Sequence, residues 1–147
     1  MENIREGGFL ISKIKQISGR IFDKKLKNHD ITDLNTAQGR IVFSLWQNDV
    51  IPISELVRIT ALSKTTLTSM LNRLEKIGYI TRSSDRDDNR KVIVSLTEKS
   101  KLLKERYEIV SQEMTSLFYD GLAESQIDEF EKILTHIMGN LVKYEEE

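Results

Sequence analysis

The pattern of apolar positions places long helices at both ends of the chain. Spacings of four and three residues predict a first helix from about Gly8 to Lys27, and Phe9, Ile11 and Phe22 widen its apolar stripe. A second helix is predicted after Asn35, where Gln38 completes a capping box, and it ends near Asn48-Asp49. Beyond residue 97, a break at Asp120-Gly121 separates two more helices. Their apolar positions are Leu103, Tyr107, Val110, Met114 and Leu117 in one, and Ile127, Phe130, Leu134, Ile137, Leu141 and Tyr144 in the other.

Shorter elements fill the middle of the chain. Val50-Ile51-Pro52-Ile53 is too short for a helix and predicts an extended segment. Ser54 is the predicted cap of a short helix that runs to about Ala61, and a tight turn leads to a further helix that begins at Ser63. Two short helices joined in this way form a helix-turn-helix.

The second helix of this pair has an unusual polar face. Ser63 is expected to cap its start and Gly78 to end it, and the buried face consists of Leu67, Met70, Leu71, Leu74 and Ile77. The opposite face has short hydroxyl and amide side chains, where a solvated helix usually has Glu and Lys. Such side chains can reach base edges or phosphates, so the face suits a nucleic-acid groove. Taken alone, the helix is equally consistent with a hydroxyl-rich surface helix of no special role.

After Gly78 the period changes to that of β-strands. Runs over 79–84 and 91–96 are rich in β-branched residues, and the polar segment Asp85–Arg90 between them predicts a hairpin with a charged tip. A helix-turn-helix followed by such a hairpin is a winged helix. Its helix would enter the major groove of DNA, and its wing would bring an arginine to the adjacent minor groove.

The distribution of charge along the chain agrees with a winged helix that binds DNA. The formal net charge of the 147 residues is -1, but Ser54–Ser100 has nine Lys and Arg against six Asp and Glu, and Met1–Ile53 has eight against six. The last 47 residues have five against eleven. The small net charge therefore conceals a basic centre and an acidic C-terminal region.

Composition excludes several classes of site. The chain has no cysteine, which rules out disulfides, thiolate metal sites and thiol redox sensing. We expect no membrane span and no signal peptide, and hence a cytoplasmic protein. The motifs of hydrolases, phosphate loops and dinucleotide sites are missing, so no catalytic role is expected. His29 and His136 lie far apart in sequence, and we expect neither a metal site nor another cofactor there.

Two motifs resemble those of a known family, the MarR transcriptional regulators. Leu74–Arg82 is similar to the family's L-e-x-x-G-a-a-x-R pattern, where a is apolar, and Asp85–Thr97 to its D-P-x-D-R-R-x-x-x-V-x-L-T pattern. Leu34–Gln38 stands at the position of the family's L-T-x-x-Q. Three positions depart from the family pattern: Arg86 replaces a proline, Asn89 the first of two arginines, and Ser100 a glycine.

The resemblance implies a fold that is mainly α with a small β-hairpin wing, a winged helix-turn-helix flanked by N- and C-terminal dimerisation helices. The implied organisation is residues 1–33 for the N-terminal dimerisation helix, 34–97 for the DNA-binding domain and 98–147 for the C-terminal dimerisation helices. Apolar stripes at both chain ends agree with a homodimer, because they exceed what one small monomer can bury; the alternative is a single monomeric bundle. The expected interface residues are Phe9, Leu10, Ile14, Leu117, Phe118, Ile127, Phe130, Leu134, Ile137 and Leu141.

The expected DNA contacts divide between the helix and the wing. Thr65, Thr68, Ser69 and Asn72 are candidates for base contacts, and Lys64, Thr66 and Arg73 for the flanks and phosphates. The capping residue Ser63 belongs to the same predicted DNA-binding set. In the wing the candidates are Arg86, Arg90 and Lys91, with either arginine as the minor-groove residue. Asp88, paired with Arg90 or Arg82, is expected to orient the wing.

The predicted function is that of a regulator, most simply a repressor, which binds double-stranded DNA as a homodimer. A small aromatic effector is implied by the resemblance; Trp46, Tyr107 and Phe118 could line its pocket, although core packing also accounts for all three. Two alternatives stay open from the sequence. One is a winged-helix protein-interaction module, and the other is a ligand sensor that does not bind DNA.

Overall fold

A computed structural model describes residues 3–48 and 50–147. Met1, Glu2 and Asp49 lie outside the described residues, so the end of the second helix is defined only as far as Asn48. The helices are α1 (Gly7–Asn28), α2 (Thr36–Asn48), α3 (Ile53–Thr60), α4 (Lys64–Lys76), α5 (Glu98–Phe118) and α6 (Glu124–Glu145). The strands are β1 (Val50–Pro52), β2 (Ile80–Ser84) and β3 (Val92–Leu96). The expected fold class, mainly helical with a hairpin wing, is confirmed.

Several predicted boundaries follow the expected local chemistry. Asn35 and Gln38 form a reciprocal capping box, in which the Asn35 N–H donates to Gln38 Oε1 at 3.0 Å and the Gln38 N–H to Asn35 Oδ1 at 2.8 Å. Ser63 caps α4 by accepting from the Thr66 N–H at 3.2 Å. Gly78 follows α4 with φ +89°, a conformation that glycine adopts without a Cβ penalty.

The prediction that Ser54 caps the short helix is wrong. Pro52 has the extended conformation with φ -62° and ψ 147°, and it occupies the N-cap position with no side-chain cap. Helix α3 therefore begins at Ile53, immediately after β1, and Ser54 lies inside its first turn. The strand and the helix meet without a linker because proline fixes the backbone at their junction.

The extended segment before α3 becomes the edge strand of a three-stranded sheet with the order β1-β3-β2. Strand β3 pairs antiparallel with both neighbours. In the register, Val94 is paired with Ile51 of β1 on one side and with Arg82 of β2 on the other. Both Ile51 and Val94 are buried, and they connect the sheet to the core. The wing hairpin is thus anchored at its base by a strand that precedes the helix-turn-helix.

The chain divides into two compact units, with the boundary inside α5 between Val110 and Ser111. The core of the first unit consists mainly of leucine, isoleucine and valine side chains from α1 to β3 and from the first part of α5, with the aromatic residues Phe22, Tyr79 and Tyr107. Those at 0% exposure are Leu26, Ile41, Val42, Leu45, Leu56, Leu67, Leu71, Leu74, Val94 and Val110. Three of them, Leu67, Leu71 and Leu74, are the apolar face of α4, and they hold its other face outward.

Tyr107 is the centre of an aromatic cluster in the first unit. Its ring lies 5.1 Å from that of Trp46, 5.7 Å from Phe22 and 6.3 Å from Phe43. Burial raises the pKa of the Tyr107 hydroxyl to about 12. The ring also packs against Gly39 of α2, so a glycine that weakens helix propensity provides the space for an aromatic contact.

The second unit contains the end of α5 and all of α6. Phe118 packs with Tyr119 and Phe130 at ring separations of 4.9 and 6.5 Å, and Tyr119 donates to Glu131 at 2.7 Å. No residue of α6 is buried within the described chain. Large apolar side chains on this helix are at least half exposed at Met138 (56%) and Leu141 (66%). Among residues 3–48 and 50–147, none of the helices is both long and apolar enough to cross a membrane.

Candidate nucleic-acid interface

The outward face of α4 has the composition that the sequence predicted. Seven of the eight candidate residues on this helix and its cap are exposed, and the eighth, Thr68, is half-buried. The exposed residues are Ser63, Lys64, Thr65, Thr66, Ser69, Asn72 and Arg73. None of the predicted threonines lies in the interior. The face therefore presents hydroxyl, amide and cationic groups together, while the leucines on the other side fix its orientation.

Arg82 connects this face to the wing. From β2 its guanidinium donates to Asn72 Oδ1 at 2.7 Å and to both carboxylate oxygens of Glu75 at 2.9 and 3.3 Å. The bonds from Arg82 lower the pKa of Glu75. The Arg82 side chain is 23% exposed, so the bridge is partly shielded from solvent. Recognition helix and hairpin are thereby held in one orientation by three hydrogen bonds.

The same contact determines which hydrogen-bonding group Asn72 presents. Because its Oδ1 accepts from Arg82, the Nδ2 amide is the group that remains for an external partner. An N–H donor at this position matches the acceptors that the major groove displays, such as N7 and O6 of guanine, and also a phosphate oxygen. Of the two arginines considered as partners of Asp88, Arg82 is not the one used, because Glu75 on α4 faces β2 and accepts its guanidinium instead.

The wing tip is ordered by its own aspartates. Asp88 accepts from both the backbone N–H and Nε of Arg90, at 3.0 and 3.1 Å, which lowers the pKa of Asp88. The Arg90 side chain is nevertheless 92% exposed. Asp85 accepts from the Asp87 N–H at 3.0 Å and closes the other side of the loop. The predicted pairing of Asp88 with Arg90 is confirmed, and Arg86 and Lys91 are exposed beside it.

A polar network around Tyr79 fixes the base of the wing. Lys99 contacts Asp33 at 3.3 Å, the Ile77 carbonyl at 2.7 Å and the face of the Tyr79 ring at 4.5 Å. The Tyr79 hydroxyl in turn donates to Asp33 at 2.6 Å. Burial is the larger cause, and this bond the smaller one, that raises the pKa of the Tyr79 hydroxyl. Buried Ser100, at a position where the family pattern has glycine, donates to the Tyr79 carbonyl. These contacts join the end of α4 to the start of α5.

The order of elements, the exposed helix face and the anchored hairpin together define a winged helix-turn-helix protein of the kind found in transcription regulators. The sequence profile of the MarR family matches residues 34–92. A regulator from Neisseria gonorrhoeae named FarR is 30% identical over 121 residues, which cover 82% of this chain and 78% of FarR. This chain belongs to the MarR family.

Two further comparisons agree with this assignment. The organic hydroperoxide resistance transcriptional regulator of Bacillus subtilis is 40% identical over 62 residues, and the match spans 42% of each chain. The crystal structure of a cysteine-to-serine mutant of MarR from E. coli in complex with operator DNA superposes with a TM-score of 0.79. It covers 92% of this chain and 99% of that chain at 23% identity, and so it supports the fold.

Proposed function

We propose that this chain is a sequence-specific regulator that binds double-stranded DNA as a homodimer, and that it acts as a repressor in the cytoplasm. The observation that supports the proposal is the exposed hydroxyl-and-amide face of α4, held beside an arginine-bearing wing. The fold is that of a regulator whose structure includes operator DNA. A protein-interaction module or a ligand sensor without DNA would bind no duplex at low salt, so a duplex titration separates both from the proposal.

For the individual contacts, we propose that Thr65, Thr68, Ser69 and Asn72 meet base edges and that Lys64, Thr66 and Arg73 meet phosphates. Asn72→Asp tests the most specific of these assignments. The substituted carboxylate still accepts from Arg82, but it replaces the outward donor with a charge that repels DNA. Affinity for a duplex enriched from a random pool should fall, whereas the melting temperature of the protein should stay close to that of the wild type. Unchanged affinity would remove Asn72 from the interface.

We propose that residues 1–33 and 98–147 form the dimerisation part, with 34–97 as the DNA-binding domain. Exposed apolar side chains on α1, among them Phe9 at 71%, and on α6, among them Leu141 at 66%, support this division. A second copy of the chain would cover them.

Leu141→Lys tests the dimer without disturbing the fold of one chain, since the side chain is exposed. Sedimentation velocity should show a dimer for the wild type and a larger monomer fraction for the variant. The control is Val50→Lys on β1, because Val50 is 51% exposed and lies in the proposed DNA-binding domain. Equal sedimentation of both variants and the wild type would contradict the proposed interface.

We also propose that a small aromatic effector binds beside the cluster of Trp46 and Tyr107. Trp46 Nε1 is buried and has no hydrogen-bond partner among the described residues, so it offers a donor to a ligand acceptor. Phe43, which lies against Tyr107, is 41% exposed and opens the cluster to solvent. The emission of Trp46, the only tryptophan, should shift with hydroxybenzoate; an unshifted spectrum at millimolar concentrations would exclude this class.

A further inference from the structure

An open groove of about 430 Å³ lies between the start of α2 and the flank of α4. Both helices belong to the first unit, so the groove is a feature of one compact body. It is lined by Asn35, Gln38, Ser69, Met70, Asn72, Arg73 and Lys76. Two of these residues are cations and none is a carboxylate. Three of them, Ser69, Asn72 and Arg73, also belong to the face already proposed to meet DNA.

Gln38 is the most unusual residue of this lining. It is 5% exposed, and its Oε1 is occupied by the Asn35 N–H of the capping box. Its Nε2 amide donates to no residue that the structure describes, and this atom is not among the fully buried atoms without a partner, so solvent or a ligand can reach it. The capping role that the sequence assigned to Gln38 therefore uses only half of the side chain. The other half is a donor that the fold does not use, on a residue that lines this groove and also an adjacent hollow with Asp23 and Asp33.

Arg73 and Lys76 provide the charge. They lie one turn apart on α4, both are exposed, and neither forms an ion pair within residues 3–48 and 50–147. Two cations beside an unpaired amide donor are suited to an oxyanion with several acceptor oxygens. Because the groove continues the outward face of α4, a backbone phosphate of bound DNA is the oxyanion that would arrive there with the duplex.

We propose that this groove is a phosphate clamp, in which Gln38 Nε2, Arg73 and Lys76 hold one backbone phosphate in each half-site. The clamp rests on the proposed DNA-binding function and deepens it. A phosphate held from both α2 and α4 sets the register of the recognition helix on the duplex, because phosphate contacts position a protein and base contacts specify the sequence. Gln38 is thus a positioning residue as well as a helix cap.

Gln38→Glu tests the clamp with little change in structure. A glutamate at this position keeps an oxygen for the Asn35 N–H but presents the phosphate with an anion in place of a donor. The control is Gln126→Glu on α6, where Gln126 Oε1 accepts from the Ala123 N–H at 2.9 Å in the same type of cap. We expect Gln38→Glu to weaken binding to the enriched duplex by about tenfold or more, and Gln126→Glu to leave it near the wild-type value.

The identity of the bound group is tested by ethylation of single phosphates in that duplex. For the wild type, ethylating one phosphate in each half-site at the groove should block binding, and this interference should disappear with Gln38→Glu. Lys76→Gln should reduce the slope of log affinity against log salt by about 1.8, since a dimer loses one contact in each half-site.

The outcomes separate the clamp from the proposed function. If the wild type enriches no duplex at all, the DNA-binding function itself is wrong. If it enriches one, and both Gln38→Glu and Lys76→Gln bind it as the wild type does, only the clamp is overturned. If Gln38→Glu lowers the melting temperature and Lys76→Gln does not, the DNA affinity of Lys76→Gln tests the clamp. Wild-type affinity in that variant would overturn the clamp. Millimolar inorganic phosphate could raise the melting temperature of the protein and leave its affinity for DNA unchanged. That result would assign the groove to a free anion and overturn the clamp.

Discussion

Gly39→Ala is expected to destabilise the protein relative to Gly19→Ala, although both substitutions improve helix propensity. A Cβ built on Gly39 would lie 2.7 Å from the Tyr107 hydroxyl oxygen and 2.8 Å from Cε2 of the same ring. Real Cβ atoms do not approach other atoms so closely, so either α2 or the ring must shift. Tyr107 is 3% exposed and is enclosed by Phe22 and Trp46, so the ring cannot move freely.

Two opposing terms set the size of this effect. Alanine in place of glycine inside a helix gains up to about 1 kcal/mol. Overpacking a well-filled core costs about 1–3 kcal/mol. A Cβ on Gly19 in α1 would meet no atom within 4 Å, so that variant should show the gain alone. The free energies of unfolding of the two variants should therefore differ by about 1–3 kcal/mol, with Gly39→Ala the less stable.

Urea denaturation at neutral pH measures this difference, and Trp46 reports where the strain lies. Its ring is 5.1 Å from Tyr107, so native-state emission should change in Gly39→Ala and not in Gly19→Ala. If both variants are stabilised equally, the contact between Tyr107 and α2 is not as the structure shows it. The position of Trp46 in a ligand-responsive cluster would then also lose its support.

Three further predictions concern the wing and its support. Arg90→Ala should lower the slope of log affinity against log salt by about 1.8 for a dimer, and an unchanged slope would leave Arg86 as the wing contact. Ser100→Ala should cost about 1 kcal/mol in urea denaturation, because the Tyr79 carbonyl loses one of its donors but keeps the Thr97 N–H. Arg82 lowers the pKa of Glu75, so the stability that this pair adds is complete above the ordinary Glu75 pKa of about 4.5 and is lost as the pH falls through the lowered value. The stability difference between wild type and Glu75→Gln should consequently shrink as the pH falls below about 4.5, and a constant difference would refute the linkage.

Local chemistry explains why much of the fold was predictable. Periodic apolar positions, the Asn35 and Ser63 caps and the left-handed Gly78 each act over a few residues, so they are visible in the sequence. Ser54 failed as a cap because the predicted extended segment was one residue too long, and Ile53 already belongs to α3. Pro52 ends β1 and starts α3 at once, which leaves no position for a separate cap.

Long-range contacts were not predictable in the same way. The pairing of Ile51 with Val94 joins segments on either side of the helix-turn-helix, and one sequence has no signal for that register. Arg82 had carboxylates near it in sequence, but its partner Glu75 faces it only once α4 and β2 are packed. The free amide of Gln38 could be found only after its oxygen was seen in the capping box.

Selection of bound duplexes from a random pool tests the central claim, that the outward face of α4 reads DNA in a symmetric pair. We expect an enriched palindrome whose half-site centres lie about 10 base pairs, or roughly 34 Å, apart. Asn72→Asp should fail to enrich that palindrome. Enrichment of no sequence, or of a single unpaired half-site, would contradict the claim.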